Sequence, residues 1–157
     1  MVAFTLFHVA LSLAGIFSGF VVALGLLKSK RLNLWTAFFL LTTAATSVTG
    51  YLFPFHRLMP SHILGVISLV ALSVTSFARY GRRLQGHWRW IYAGGAVFSL
   101  YLNFFVLIAQ SFAKIPALKA MTPTQTEPPF LVAQSVALLA FAILGIGAVV
   151  RFRPGNP

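Results

Sequence analysis

The sequence predicts an all-α membrane protein, a polytopic bundle of five transmembrane helices. Three observations predict it. Hydrophobic residues make up 59% of the 157-residue chain and charged residues only 8%, with a mean hydropathy of +0.88. A soluble domain carries about 25% charged residues, so there is too little polar surface here to cover a water-facing globule. The apolar residues form long runs, and the twelve Lys and Arg fall in short clusters between them, which is a membrane pattern. The net charge of +11 would alone admit a nucleic-acid partner. The clustering instead excludes one, along with a soluble enzyme and a disordered chain. The chain has no cysteine, hence no disulfide framework, thiolate metal site or Cys nucleophile.

Each span follows from a run of about 20 apolar residues, the length needed to cross a hydrocarbon core of about 30 Å. The first covers residues 2–27. It is too long for a cleavable signal peptide, and its charges, Lys28, Lys30 and Arg31, follow rather than precede it. The second covers 34–53 and is closed by Pro54. The third, 61–78, is opened by Pro60. The fourth is 90–113. The fifth, 129–150, is opened by the Pro128-Pro129 pair, which suits a first helical turn. The loop 114–128 carries Pro116, Pro123 and Pro128 and is expected to be ordered, with a short helix over 117–121. No repeat or low-complexity tract divides residues 1–157, so they read as one integral membrane domain.

Basic residues give the orientation. Five spans place Lys28, Lys30, Arg31, Arg79, Arg82, Arg83, Arg89, Arg151 and Arg153 on one side, and Arg57, Lys114 and Lys119 on the other. Without the third span the split would be more even. The positive-inside rule then predicts an outside N-terminus and a cytoplasmic C-terminus. Trp35, Tyr80, Trp88, Trp90 and Tyr92 fall near the cytoplasmic boundary, where such rings concentrate.

Helical spacing assigns faces. In the first span Thr5, His8, Ser12, Gly15, Gly19 and Val22 share one side, and the small residues Ser12, Gly15, Ser18 and Gly19 predict a close packing seam. The fourth span aligns Tyr92, Ser99, Asn103 and Gln110; the fifth aligns Glu127, Gln134, Phe141 and Gly145. At about 1.5 Å per residue, His8, Gln110 and Gln134 fall in one layer of the outer leaflet. His56, His62 and Glu127, the sole acidic residue, lie just above it.

This convergence defines the candidate site. His8, His56, His62 and Glu127 are candidate metal ligands, since imidazole suits Zn, Cu, Fe and Ni and a carboxylate can complete the set. His8, Gln110 and Gln134 are the candidates for holding a cofactor, as hydrogen-bond donors to a quinone or a lipid headgroup; haem would need axial histidines within facing helices, and His8 alone lies clearly within the membrane. His8 leads because an ionisable group inside the bilayer is costly and points to function. The plainer reading satisfies each residue separately: His8 by a Gln, Glu127 by a helix N-terminus or a basic residue, and the loop histidines by water. Catalytic signatures are absent. One acid forbids a paired-carboxylate mechanism, the lack of Asp removes a Ser-His-Asp triad, and no nucleophile elbow or phosphate loop occurs.

The segments Phe53-Pro54-Phe55-His56-Arg57, Pro60-Ser61-His62-Ile63-Leu64-Gly65 and Pro123-Thr124-Gln125-Thr126-Glu127-Pro128-Pro129-Phe130 resemble patterns in small bacterial multi-pass membrane proteins without an assigned function. The resemblance implies a bacterial inner-membrane protein and carries over no functional residue. The expected function is therefore that of a non-enzymatic integral membrane protein. Its outer cluster would bind a metal, haem, quinone or another membrane subunit. The alternative is a small membrane oxidoreductase or redox-complex subunit.

Overall fold

The computed structural model describes residues 2–53 and 60–155. Among them every regular element is helical: α1 (Val2–Leu27), α2 (Asn33–Gly50), α3 (Pro60–Ser76), α4 (Trp88–Lys114), α5 (Pro116–Met121) and α6 (Pro128–Arg151). A π-helical turn, Phe77–Gly81, extends α3. Four helices are long and apolar enough to cross a membrane: α1, α4, α6, and α3 with its extension, His62–Gly81. α2 is the fifth expected span, and its hydroxyl residues make it the least apolar of the five. Proline sets the starts of α5 and α6, at the first helical positions of each. The short helix expected in the loop forms as α5.

The long helices run up and down. Against α2, α1 sets His8 beside Gly50, Gly15 beside Thr43, Gly19 beside Phe39 and Gly25 beside Leu32, an antiparallel register along its whole length. α4 lies antiparallel to both α3 and α6, with Gly95 against Thr75 and Gly145 against Val97. α1 and α4 form the centre; α2 and α3 flank one side and α6 the other. The bundle thus has a basic end, with Lys28–Arg31, Arg79–Arg89 and Arg151–Arg153, and a Glu127 end, with the start of α1 and all of α5.

The predicted seam on α1 is buried: Gly15, Ser18, Gly19 and Val22 all lie in the interior. A Cβ on Gly19 would come within 2.5 Å of Leu100 Cδ1 and 2.9 Å of Phe39 Cε2, so only glycine permits this approach. Around it pack Phe39, Leu100, Val97 and Tyr92. An aromatic group of Phe20, Phe104 and Phe141, with centroids 5.3–6.0 Å apart, joins α1, α4 and α6. Mid-bundle, Ser12 Oγ donates to Asn103 Oδ1 at 2.9 Å. The outer surface is apolar, with Leu6 at 64% exposure, Leu139 at 64% and Ile143 at 72%.

Candidate functional site

His8 sits in the second turn of α1 and faces α2. Its Nδ1 lies 2.8 Å from Thr49 Oγ1. Thr49 spends its own proton on Ala45 O at 2.7 Å, a common way for a threonine to satisfy itself within a helix. With the Thr49 proton on Ala45 O, the histidine Nδ1–H is the donor in this pair. The imidazole also meets the Phe53 ring edge-on, 5.1 Å between centroids. Sequence depth had suggested a glutamine partner; the structure gives His8 a threonine from α2 instead. Gln134 is buried on α6 and donates through Nε2 to Phe105 O at 3.2 Å, across to α4. Gln110 is exposed near the end of α4. His8 and Gln134 thus bond to different helices, α2 and α4.

The metal set is likewise distributed. His62 is 8% exposed, its ring lies 5.5 Å from that of Tyr51, and its carbonyl accepts the Tyr51 hydroxyl at 2.6 Å. Glu127 lies on the surface, where its carboxylate accepts Thr124 N (3.1 Å), Thr124 Oγ1 (2.8 Å) and Thr126 N (3.1 Å). Desolvation acts to raise its pKa, but these bonds outweigh it and hold the carboxyl below its ordinary value. Among the described residues no three His, Asp or Glu come together as metal ligands. His8, His62 and Glu127 therefore form no shared centre, and His56 lies outside the described residues. Among the described members, His8 is engaged by Thr49, His62 packs on Tyr51 and Glu127 accepts from its own loop.

The most distinctive polar site is at the other end and centres on Arg79, counted above only as a topology charge. It projects from the π-helical turn and is 7% exposed. Its Nη2 donates to Arg31 O at 2.8 Å and to Asn33 Oδ1 at 2.6 Å. Its guanidinium stands 5.0 Å over the Tyr92 ring, a favourable cation–π position. Tyr92 OH is 3.1 Å from Thr36 Oγ1, and the Phe152 ring packs on Tyr92 at 5.5 Å. Nη1 is buried and has no hydrogen-bond partner among the described residues. The group thus joins the α1–α2 loop, α2, the end of α3, α4 and the C-terminal tail. A signal was present in the sequence: Leu72, Thr75 and Arg79 follow helical spacing, and all three are buried, so Arg79 continues the inward face of α3.

Beside it the turn into α4 is rich in paired aromatic and cationic groups. The Phe77 and Trp88 rings meet at 5.3 Å, the Arg82 guanidinium lies 5.4 Å over Trp88, and His87 stacks on Trp90 at 5.3 Å. The site has cations, rings and hydroxyls but no carboxylate, because Glu127 lies at the opposite end. No family model, curated protein or solved structure matches the chain.

Proposed function

We propose that the chain is a non-enzymatic integral membrane subunit of a bacterial inner membrane. It crosses the bilayer five times, with its N-terminus outside and its C-terminus in the cytoplasm. The observation that carries this reading is the reversal of ordinary globular polarity. Large apolar side chains cover the outside of α1, α3 and α6, while Ser12, Thr36, Ser99 and Asn103 turn inward. Exposed apolar surface on this scale fits lipid and neighbouring membrane helices.

Three arguments support a fifth span. α2 has 18 residues, about 27 Å of helix, close to the hydrocarbon thickness. Four of its hydroxyls are masked by bonds to their own helix: Thr42 to Phe38 O, Thr46 to Thr42 O, Ser47 to Thr43 O and Thr49 to Ala45 O. α2 also lies between α1 and α3 in antiparallel register, so it crosses wherever they cross. Orientation rests on the basic end, which faces the cytoplasm by the positive-inside rule. A partner subunit is favoured over a metal, haem or quinone because His8, Gln134 and Glu127 are each engaged by a different protein partner.

The absence of native cysteine makes the test clean. Single substitutions Lys30→Cys, Arg83→Cys and Arg153→Cys should resist an impermeant thiol reagent in intact cells, and Lys119→Cys should react. Equal labelling of Arg83→Cys and Lys119→Cys would overturn the topology. Absorbance and metal analysis of the purified protein should give no stoichiometric chromophore or metal. A Soret band would favour the redox-subunit reading instead.

A further inference from the structure

We propose that an anionic phospholipid occupies the groove between α3 and α4, with an acyl chain along the groove and its phosphodiester at Arg82. This rests on the membrane placement above and adds a specific ligand to it. The groove has a volume of about 520 Å³, and its walls include Val70 and Val74 of α3 and Ile91 and Phe98 of α4. Gly94 and Gly95 form part of its lining, and at Gly95 the absent side chain lets Thr75 of α3 pack directly on the α4 backbone. From Ile91 to Phe98 the groove runs for about 10 Å of helix, within the thickness of one leaflet, about half of a core of about 30 Å.

The chemistry of the mouth selects the ligand. Val70, Val74 and Phe77 share a face by spacing, as do Trp88, Ile91, Gly95 and Phe98. The Phe77–Trp88 contact therefore closes the bundle one turn beyond Val74 and Ile91, on the same side as the groove. Arg82, which is solvent-exposed, sits over Trp88 at this point. Tryptophan and arginine together mark a headgroup boundary, and clustered cations next to a span attract anionic headgroups. The chain's only acidic side chain is at the far end, so no Asp or Glu competes for these cations. A neutral lipid would fill the groove but leave the charge unanswered.

Native mass spectrometry of the detergent-purified full chain, with phosphatidylglycerol or phosphatidylcholine added at equal concentration, tests the proposal. Retention of phosphatidylglycerol should exceed that of phosphatidylcholine by about fivefold for a single well-placed cation. Arg82→Gln should bring the two lipids to equal retention, while Lys28→Gln, a basic change away from the groove, should leave the preference intact. Val70→Trp should lower retention of both lipids by filling the groove. Excess glycerol phosphate should not displace the lipid; displacement would mean that the site takes a free phosphate and would overturn the lipid assignment. Equal retention by the wild type, or equal loss in Arg82→Gln and Lys28→Gln, would also overturn it and leave the membrane reading untouched. A dimer that excludes added lipid would show that a second copy fills the groove. A chain that stays monodisperse without detergent and takes up no lipid would defeat the membrane reading itself.

Discussion

At the basic end of the bundle, Arg79 bonds to Asn33 and to the carbonyl of Arg31, 46 and 48 residues away. At the opposite end Glu127 bonds to Thr124 and Thr126, three residues away or fewer. The C-terminal tail strengthens the contrast: Arg153 N donates to Ser29 Oγ, and Arg31 donates to Gly155 O, each across 124 residues. Backbone geometry follows the same division. Among the described residues, Ser29, Leu32, Arg83 and Leu84 at the basic end have positive φ, against Gln125 alone at the other. Such conformations are uncommon without glycine and persist where surrounding contacts hold them. Charge at the basic end is therefore more than a topological label. One of its cations is turned inward and joins four parts of the chain, whereas the single anion at the other end orders one loop.

The contrast is most exposed to failure at Arg79. Arg79→Met keeps much of the packing volume but removes two bonds from a charged donor. A hydrogen bond to a charged group contributes about 1.5–3 kcal/mol, so this variant should show the largest loss of thermal stability in detergent among polar substitutions. Arg79→Lys should recover only part of it, because an ammonium lacks the planar face that stacks on Tyr92 and sits on a differently shaped stem. A midpoint for Arg79→Met within error of wild type would mean that the basic end is held by its apolar contacts alone.

The His8–Thr49 bond supplies a smaller test nearer the Glu127 end. Interhelical side-chain hydrogen bonds in membranes average about 0.6 kcal/mol. A double-mutant cycle with His8→Leu and Thr49→Val should therefore give a coupling of this size, well below the effect of Arg79→Met. A coupling comparable with the Arg79 loss would remove the distinction between the two ends. It would also mark His8 as more than a locally satisfied histidine.

These residues differ in how far the sequence exposes them. Helix limits were legible because proline and basic clusters punctuate long apolar runs, and α1 begins and ends at residues 2 and 27 as expected. The seam through Gly15 and Gly19 was legible because small residues at helical spacing have few other uses inside a membrane. Depth could also be read, at about 1.5 Å per residue. Azimuth could not: whether His8 meets α2, α4 or α6 depends on the arrangement of helices, and Thr49 is one of several similar threonines. Arg79 was obscured for another reason. It belongs to a basic cluster that explains topology so well that its inward spacing with Leu72 and Thr75 went unused. The π-helical turn after Ser76 has no compositional mark.

The smallest effect belongs to Glu127, and pH reveals it. Its carboxylate accepts bonds from the backbone and hydroxyl of Thr124 and from the backbone of Thr126, and these hold its pKa below the ordinary value of 4.5. A carboxyl whose folded pKa is depressed stabilises the folded state above its unfolded pKa and loses that contribution as pH falls through the folded value. The loop between α5 and α6 should thus be unchanged from neutral pH down to about 4.5 and loosen below it. Amide exchange at Thr124 and Thr126, corrected for intrinsic rates, reads this directly: protection should fall in that acidic window in wild type. In Glu127→Gln it should be low at every pH, because an amide oxygen is a weaker acceptor than a carboxylate. No acidic side chain lies at the basic end, so protection around Arg79 should stay flat in that acidic window. Parallel loss at both ends would mean that acid loosens the bundle as a whole, and that the two ends are not held independently.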